Sequence, residues 1–503
     1  MQLVRNFCRR YLSDHSVKSA VPPSEELARR PATHRLYFQR FDWRPPETVV
    51  DGLRHQYAEL IWLDSSLPST SDQQISYVYV HRFGATRWIH NPYDQTVSIS
   101  KDGQTDVLEA DLFQAMSETL SSIEIETSQA PFPFKGGFIG VLGYEAMWAG
   151  GAPTKDSRSY LYFADQFLVF DHKKRALYAA VLSPLSSGQE APEWFAEVQQ
   201  YLERSSGTTT TKPLNRDAHG VHAISKADYL EKIQQCKAQL SDGESYELCL
   251  TTEVTLNAPT CPWSYYVALR LTNPAPYAAY LQLPECIVAC SSPEKFLSVD
   301  RSGLIEAKPI KGTRARGLTL QADQEILSHL QRSEKDRAEN LMITDLLRHD
   351  VGAHSVLGSV SVPHNRAIES YATVHQMVST IQGQKRRGHC AVNVVRDAFP
   401  GGSMTGAPKR RSVRILSQVE KRERGIYSGS IGFLSVCGQA AWNIVIRTAI
   451  IDDSVMKIGA GGAIVMASDP NDEYQEMLLK VFPLLRPLGF ESVSELEAIL
   501  RQP

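Results

Sequence analysis

The spacing of hydrophobic and polar positions changes partway along the chain. From about residue 33 to 182, short runs rich in Val, Ile, Tyr and Phe are broken by Gly, Pro, Asp and Ser, a pattern that predicts β-strands. The runs are RLYFQRF, AELIWLDSS, ISYVYVHRF, GGFIGVLGYEA and QFLVFDHKKRALYAAVL. A helix, APEWFAEVQQYLERS, is predicted to follow them. The first part of the chain therefore predicts a β-rich domain over residues 33–204.

A second pattern begins after SSGTTTTKPL, which has the composition of a flexible linker. We place this linker at residues 205–224, because Ser225 and Asp228 give a capping-box-like helix start. SEKDRAENLMITDLLRHD then predicts a helix, and GAPKRRSVRILSQVEKRERG predicts another from Pro408 to Gly425. YSGSIGFLSV, AAWNIVIRTAII and VMKIGAGGAIVMAS predict successive strands. Strands that follow one another without a helix favour an α+β class with large antiparallel sheets.

Composition and charge narrow the class of protein. Lys and Arg total 53 against 56 Asp and Glu, so no basic excess points to nucleic acid. No apolar run approaches the ~20 residues of a membrane span. Eight scattered cysteines show neither CxxC nor zinc spacing. The sequence therefore predicts a soluble, cytoplasmic protein with no nucleic-acid or membrane partner, and the Arg-rich N-terminus leaves an organellar transit peptide as the alternative.

Two acidic pairs are each separated by three residues in predicted helices, which places both carboxylates of a pair on one helix face. The pairs are Asp336 with Glu339, and Glu473 with Glu476. A single such pair is more typical of a solvated face, with Lys335 and Arg337 as ion-pair partners. Two pairs in one domain keep open a shared site for Mg²⁺, which prefers carboxylate oxygens.

Two Gly-rich segments fail the nucleotide-binding motifs that they suggest. FPGGSMTGAPKRR has Ala407 where a phosphate-binding loop requires lysine, and GAGGAIV has Ile464 where GxGxxG requires its last glycine. An anion site at a helix start and a simple capping turn both remain open for the first segment. Close approach to a ligand and a bulged strand remain open for the second.

Three polar residues stand in contexts that suggest chemistry. Arg447 lies inside the apolar run NIVIRTAII, where a guanidinium needs a carboxylate partner and a substrate carboxylate would serve. His375 lies in a similar run, although a buried histidine is more often a satisfied core residue. Lys311, in AKPIKGTRARG, is a candidate nucleophile or base. The residues alone thus indicate a Mg²⁺-dependent enzyme with a small anionic substrate, and leave the reaction open.

The ordered segments SSPEKFL, KPIKGTRARG, SEKDRAENLMITDLLRHDVG, VHQMVSTIQG, AFPGGSMTGAPKRR, GIYSGSIGFLS, NIVIRTA and GAGGAIVMASDPNDEYQEM resemble the chorismate-utilising enzymes. The resemblance implies two large antiparallel β-sheets packed as a sandwich flanked by helices, as in anthranilate synthase component I. It implies a variable N-terminal domain over 33–204, a chorismate-binding catalytic domain over 225–490 and a C-terminal tail over 491–503.

The position of Lys311 separates branches of that family. Anthranilate synthases have PIAGT there, whereas 4-amino-4-deoxychorismate synthases have PIKGT, as this chain does. The resemblance implies that the Lys311 amine attacks C2 of chorismate and expels the C4 hydroxyl, after which ammonia attacks C4 and releases the lysine. Glu294 is implied as general acid and base at the C4 oxygen. Arg314 and Arg316 are expected to favour the free amine of Lys311 by like-charge repulsion.

The other roles follow from the family motifs. Glu339 and Glu476 are implied as Mg²⁺ ligands, supported through water by Asp336 and Glu473. Chorismate would be bound by Gly312, Thr313, His375, Ser403, Tyr427, Arg447, Gly461 and Gly462. LIWLDSS and TNPAPYAAYLQL resemble the elements that hold tryptophan in some members, which gives a candidate tryptophan site at Asp64, Ser65, Pro274 and Tyr277. Ala463 departs from the usual GAGGG, and its methyl group is expected to crowd a substrate carboxylate.

The N-terminal residues suggest where the nitrogen of the product comes from. MQLVRNFCRRYL resembles the end of a glutamine amidotransferase domain, so residues 1–32 are a candidate remnant of a fused glutaminase. We expect ammonia from a glutaminase subunit or fused domain, and a product used for 4-aminobenzoate and folate. The alternatives are anthranilate synthase component I, a more distant isochorismate or salicylate synthase, and a non-catalytic paralogue that senses an aromatic amino acid.

Overall fold

The computed structural model describes residues 31–65, 74–147, 157–186, 190–204, 211, 214, 220–317, 319–370 and 374–500. The N-terminal segment 1–32, with its glutaminase-remnant and transit-peptide interpretations, lies almost wholly outside these residues. Most of the predicted linker 205–224 also lies outside them. In the described ranges, each helix is too short or too polar to cross a membrane.

The described part before the linker is mostly β-structure, as predicted. Its strands are β1 His34–Phe41, β2 Leu60–Asp64, β3 Ile75–Val80, β4 Thr86–Asn91, β5 Thr96–Lys101, β6 Gln104–Glu109, β7 Gly137–Leu142, β8 Ser159–Ala164, β9 Gln166–Asp171 and β10 Ala176–Pro184. Its helices are α1 Pro46–Gln56, α2 Leu112–Ser121 and α3 Glu190–Arg204. Helix α3 was predicted. Helices α1 and α2 were not, because the residues around them have a strand-like pattern.

After the linker, helices alternate with strands. The strands are β11 His222–Ala223, β12 Glu247–Asn257, β13 Tyr277–Gln282, β14 Ile287–Ser292, β15 Lys295–Val299, β16 Leu304–Lys308, β17 Ile310–Ala315, β18 Ser361–Ser370, β19 Val374–Gln384, β20 Gly406–Ala407, β21 Ser430–Ser435, β22 Ala440–Asn443, β23 Thr448–Ile451 and β24 Val455–Ile464. The helices are α4 Lys226–Ser241, α5 Pro262–Thr272, α6 Leu320–Arg332, α7 Glu334–Gly352, α8 Ala391–Ala398, α9 Lys409–Glu420, α10 Pro470–Leu485 and α11 Val493–Leu500.

Local signals at the helix ends are confirmed in part. The Ser225 hydroxyl accepts a hydrogen bond from the amide of Asp228, which is the predicted cap of α4. Helix α9 ends at Glu420 and not at the predicted Gly425, because Lys421 adopts the left-handed conformation with φ 55° and stops the helix there.

Two large antiparallel sheets are built from both halves of the chain, which confirms the predicted fold class. The first sheet has the order β1-β10-β9-β3-β2-β13-β14-β23-β24-β12-β11, with β20 beside β12. The second has the order β17-β19-β16-β15-β22-β21-β7-β8-β4-β5-β6, with β18 beside β19. Strands from before and after the linker meet at the β2–β13 and β21–β7 pairings. Both sheets therefore continue across the predicted domain boundary.

The core lies in two layers, because neighbouring strand residues point to opposite faces of a sheet. On β2 of the first sheet, Ile61 belongs to a cluster that also includes Phe138 and Phe433 of the second sheet. The next residue, Trp62, belongs to a cluster of the first sheet with its helices, including Met477 of α10. The first sheet is therefore covered on both faces.

A buried ion pair fastens the loop after α9 to the first sheet. Arg424 donates to both carboxylate oxygens of Glu420, at 3.0 and 2.7 Å, and to the carbonyl oxygens of Met404 and Cys249 at 2.6 and 2.7 Å. The amide of Thr251 also donates to Glu420 at 2.8 Å. Both side chains of the pair are 2% exposed. Each guanidinium nitrogen of Arg424 thus has an acceptor in a water-poor environment.

We expect Arg424→Met to lower the free energy of unfolding by about 3–5 kcal/mol, because it leaves the Glu420 carboxylate buried without its cation. The double variant Glu420→Gln/Arg424→Met should recover part of that loss, since no uncompensated charge remains. Urea denaturation of the three proteins measures both effects. A single variant as stable as the unsubstituted protein would contradict a stabilising role for this pair.

Candidate active site

Lys311 is placed on β17 by a local distortion of the strand. Pairing of β17 with β19 shifts register between Lys311 and Thr313. Gly312 has φ +72°, and a Cβ atom there would lie 2.8 Å from Cγ of Asp336 on α7. Glycine therefore lets α7 approach the strand closely. The Lys311 side chain is 12% exposed, and its Nζ lies 3.3 Å from Oε1 of Glu247 on β12.

Carboxylates surround Lys311. Burial alone would lower its pKa, but the charges of Glu247, Glu339 and Glu294 outweigh burial and raise the pKa of Lys311 above its usual value. The ammonium is therefore the favoured form in this state of the protein.

The expectation for the two neighbouring arginines is wrong. Arg314 pairs with Asp336 at 2.8 Å, and Arg316 pairs with Asp323 at 2.6 Å. Each guanidinium is thus neutralised by an acid from a neighbouring helix and contributes no repulsion that would free the amine of Lys311.

Glu294 follows β14, is buried, and lies near enough to Lys311 for the charge of that lysine to affect its pKa. Burial raises the pKa of Glu294 most strongly, and the hydrogen bond from Ser403 and the charge of Lys311 oppose that rise only in part. The Ser403 hydroxyl donates to Oε1 of Glu294 at 2.5 Å. A carboxyl group with a raised pKa can carry a proton at neutral pH and act as a general acid. The structure thus brings Glu294, Ser403 and Lys311 together.

Three of the four predicted metal ligands surround one lysine. Nζ of Lys335 lies 2.8 Å from Glu473 Oε1, and 3.9 Å from both Glu339 Oε1 and Glu476 Oε2. The fourth, Asp336, is engaged by Arg314. Within the described ranges, no three His, Cys, Asp or Glu side chains are arranged to hold a metal ion as they stand.

Two glutamates of this cluster, Glu339 and Glu476, have pKa values that are shifted in opposite directions. Burial, the largest cause, raises the pKa of Glu339 to about 7, and in the described part of the chain its Oε1 accepts no hydrogen bond. The ammonium of Lys480 lowers the pKa of Glu476 to about 2 and lies 2.8 Å from its Oε1. Lys480 also donates to the carbonyl oxygen of Gly461 at 2.7 Å, which ties α10 to β24.

The predicted substrate-binding residues on β24 face these acids. A Cβ atom on Gly462 would lie 2.9 Å from Glu473 Oε2 and 3.8 Å from Glu476 Oε1. The buried ring of Tyr427 lies against Gly459 of the same strand. At these glycines, only the backbone of β24 lies between the ring of Tyr427 and the carboxylates of α10, because glycine has no side chain.

The apolar run around Arg447 predicted a strand, but Arg447 lies outside the strands. It has φ 51° and lies between β22 and β23, which belong to different sheets. Among the described residues its guanidinium has no hydrogen-bond or ion-pair partner, while burial lowers its pKa. The prediction that Arg447 needs an external carboxylate is therefore consistent with its surroundings.

His375 and Thr313, two predicted substrate-binding residues, are hydrogen-bonded to other protein groups. The ring nitrogens of His375 bond to Ser370 Oγ at 2.7 Å and to Asp323 Oδ1 at 2.9 Å, so its surroundings are those of a satisfied core histidine. Thr313 accepts a weak bond from Gln376 at 3.4 Å.

Asp64 accepts hydrogen bonds from Arg270 at 2.6 Å and from Tyr266 at 3.2 Å. Tyr277 begins β13, which pairs with β2 through Ala278 and Asp64. Ser65 and Pro274 flank the same strand ends, so the four predicted positions are neighbours, and tryptophan binding stays a prediction.

Glu247 and Lys480 are site residues that the sequence interpretation did not name, and Lys335 was named only as an ion-pair partner on a solvated helix face. Glu247 carried a signal, because SYELCL sets one acid in an apolar run, as NIVIRTAII does with Arg447. Its partner Lys311 is 64 positions away, and no local pattern connects the two.

Comparisons with known proteins agree with this architecture. An aminodeoxychorismate synthase of Streptomyces griseus is 39% identical over 459 residues, which cover 88% of this chain and 62% of that protein. The chloroplastic aminodeoxychorismate synthase of Arabidopsis thaliana is 39% identical over 489 residues, covering 88% and 53%. The chain thus spans little more than half the length of these two relatives. Aminodeoxychorismate synthase component 1 of Bacillus subtilis (strain 168) is 32% identical, covering 78% and 85%.

A solved structure and a family description complete the comparison. Anthranilate synthase component I from Streptococcus pneumoniae TIGR4 superposes with a TM-score of 0.69 at 24% identity, over 83% of this chain and 93% of that one, which supports the shared fold. Residues 74–486 match the description "chorismate binding enzyme". That match spans most of the chain and both sheets, and the chain therefore belongs to the chorismate binding enzyme family.

Proposed function

We propose that this chain converts chorismate and ammonia into 4-amino-4-deoxychorismate, which would serve 4-aminobenzoate and folate synthesis. The observation that carries the proposal is the placement of Lys311: a lysine at the branch-defining position, buried beside Glu294 and held by Glu247. The similarity to relatives called aminodeoxychorismate synthase supports the same product.

The proposed chemistry divides one substitution into two steps. The Lys311 amine forms a bond to C2, the double bonds shift, and the C4 hydroxyl leaves as water with a proton from Glu294. Ammonia then attacks C4 and passes its surplus proton to Glu294, the bonds shift back, and the lysine leaves with the electron pair of its C–N bond. Ser403 supports this assignment, because its bond to Glu294 fixes the direction of the carboxyl group.

Substrate carboxylates have a natural partner in Arg447, whose guanidinium is otherwise unmatched in the described residues. A planar guanidinium binds a carboxylate through two parallel hydrogen bonds. Tyr427 and the backbone of Gly461 and Gly462 would line the same cavity. Ala463 lies one residue further along β24, where its methyl group would limit the space for that carboxylate.

Mg²⁺ fits the acids that surround Lys335. Three glutamate side chains converge on a single positive charge, one oxygen of Glu339 has no hydrogen bond, and Gly462 adds no side chain. Glu339 and Glu476 would bind the ion, with Glu473 beside them and Asp336 further away. When bound, the ion would supply positive charge to the ring carboxylate and to these acids.

The nitrogen source is proposed to be ammonia delivered by a glutaminase subunit or fused domain, in keeping with the relative described as component 1. We expect the chain alone, given chorismate, Mg²⁺ and ammonium chloride at mildly alkaline pH, to form 4-amino-4-deoxychorismate, and to form none with glutamine. Mass spectrometry of the products tests this. Anthranilate or isochorismate as the product would contradict the proposal, and so would efficient use of glutamine by the chain alone.

Lys311→Ala should abolish amination at C4, with a loss of at least ~100-fold in rate, because no covalent adduct then directs ammonia to that carbon. Lys308→Ala is the matched control, since Lys308 lies three residues earlier and pairs with Glu369 at a partly exposed position. The same product formed at the same rate by the Lys311 variant would rule out its role as nucleophile.

Metal binding should respond in opposite directions to two substitutions. Glu476→Gln should weaken Mg²⁺ affinity about tenfold or more, because it removes a charged oxygen ligand. Lys335→Ala should strengthen affinity about threefold to tenfold, because the ammonium that competes for the same oxygens is gone. Calorimetric titration of Mg²⁺ without substrate measures both, with the exposed Asp345→Asn as control. Weaker binding by the Lys335 variant would show that the lysine supports the metal site and does not compete with it.

Glu339→Gln should stabilise the metal-free protein above pH 7. The pKa of Glu339 is raised from 4.5 to about 7 on folding, so losing its proton destabilises the fold progressively as pH rises between those values. The penalty is complete above pH 7 and absent below about pH 4.5, and removing it should add roughly 2–3 kcal/mol at pH 8. Urea denaturation at pH 8 and pH 5 measures this. An equal effect at both pH values would contradict the electrostatic cause.

A further inference from the structure

Glu247 is the one carboxylate, among the described residues, in ion-pair contact with Lys311. It lies at the start of β12 and is 1% exposed. Its Oε1 is 3.3 Å from Nζ of Lys311, and its buried Oε2 accepts no hydrogen bond from any residue that the structure describes. The pair is thus isolated from other protein donors.

The other charges that face Lys311 have different partners. Glu294 is bonded to Ser403, and Glu339 lies 3.9 Å from Lys335. Cys249 of β12 is buried, and burial raises the pKa of its thiol, so it stays protonated. Lys480 is bonded to Glu476. Glu247 is therefore left as the group in contact with the Lys311 ammonium.

An ammonium has no lone pair, so Lys311 must lose a proton before it can form a bond to carbon. The carboxylates around it favour the charged form, which makes spontaneous loss to water at neutral pH rare. A proton acceptor in contact with Nζ gives that proton a direct route as the bond to carbon forms.

We propose that Glu247 is the general base that takes a proton from Lys311 and later returns it, an inference that rests on the proposed function. An N–H bond of Lys311 breaks, an O–H bond forms on Glu247, and the freed lone pair of the lysine attacks C2. When ammonia has displaced the lysine from the adduct, the Glu247 carboxyl gives the proton back. The exchange is balanced and needs no further reactant.

The hydrogen bonding of Glu247 suits this role. Glu420 is equally buried, but it accepts bonds from Arg424 and Thr251 that stabilise its charge. Among the described residues the carboxylate of Glu247 has no donor besides Lys311, so no second hydrogen bond has to break when it takes a proton. In a water-poor site, a neutral amine and acid lie closer in free energy to the ion pair than they do in water.

The test measures adduct formation on Lys311 without ammonia. Wild-type protein, Glu247→Gln and the control Glu253→Gln from the same strand are mixed with chorismate and Mg²⁺, quenched, and digested for mass spectrometry between pH 6 and pH 10. For Glu247→Gln we expect a rate at least ~100-fold lower at pH 7, rising about tenfold per pH unit as bulk solvent takes the proton. Wild type and Glu253→Gln should stay nearly flat over that range.

Other outcomes would overturn the proposal. Glu247→Gln as fast as wild type at pH 7, or faster, would mean that the carboxylate only holds the lysine in its charged form. A uniform loss at every pH would mean a structural role. Glu247→Asp, which keeps the acid with a shorter reach, should be slower but flat with pH, and a profile like that of Glu247→Gln would contradict the base. No adduct on wild-type Lys311 would overturn the proposed function itself, and this inference with it.

Discussion

Crowded negative charge in a largely buried site is the constraint on which the rest of the active site depends. Five glutamates converge between the ends of α7, α10, β12 and β14, and three lysines oppose them. The glutamates are Glu247, Glu294, Glu339, Glu473 and Glu476. The positively charged lysines are Lys311, Lys335 and Lys480. Like charges in a poorly hydrated space disfavour ionisation of some members and pull every nearby cation inward. This crowding accounts for the lysine contacts and the fit to a metal ion, while burial is the largest cause of the raised pKa values of Glu294 and Glu339.

The same constraint divides the work among the glutamates. A hydrogen bond from Ser403 orients Glu294 while burial keeps it prone to carry a proton. Lys480 keeps Glu476 ionised, which suits a ligand for a hard cation. Glu247 accepts a side-chain hydrogen bond from Lys311 and from no other residue in the described ranges. Identical side chains thus acquire different chemistry from the groups that they contact.

Local patterns predicted the parts of this structure that depend on local geometry. The acidic pairs of α7 and α10 followed from helical spacing, and the cap at Ser225 followed from its neighbour Asp228. Contacts between distant segments could not be predicted in this way. Arg447 was placed in a strand because the apolar run is continuous, whereas the chain passes there from one sheet to the other. The expected repulsion between Arg314 and Lys311 was wrong, because Arg314 pairs with Asp336 from another element.

The sharing of both sheets by the two halves of the chain has a consequence for biosynthesis. A ribosome releases β1 to β10 before β13 and β21 exist, so β2 and β7 emerge with one edge lacking its final partner. Unpaired strand edges are sites where chains associate wrongly. The strand edges of the N-terminal half therefore lack their final partners until the rest of the polypeptide is made, and during that interval they are open to wrong pairing.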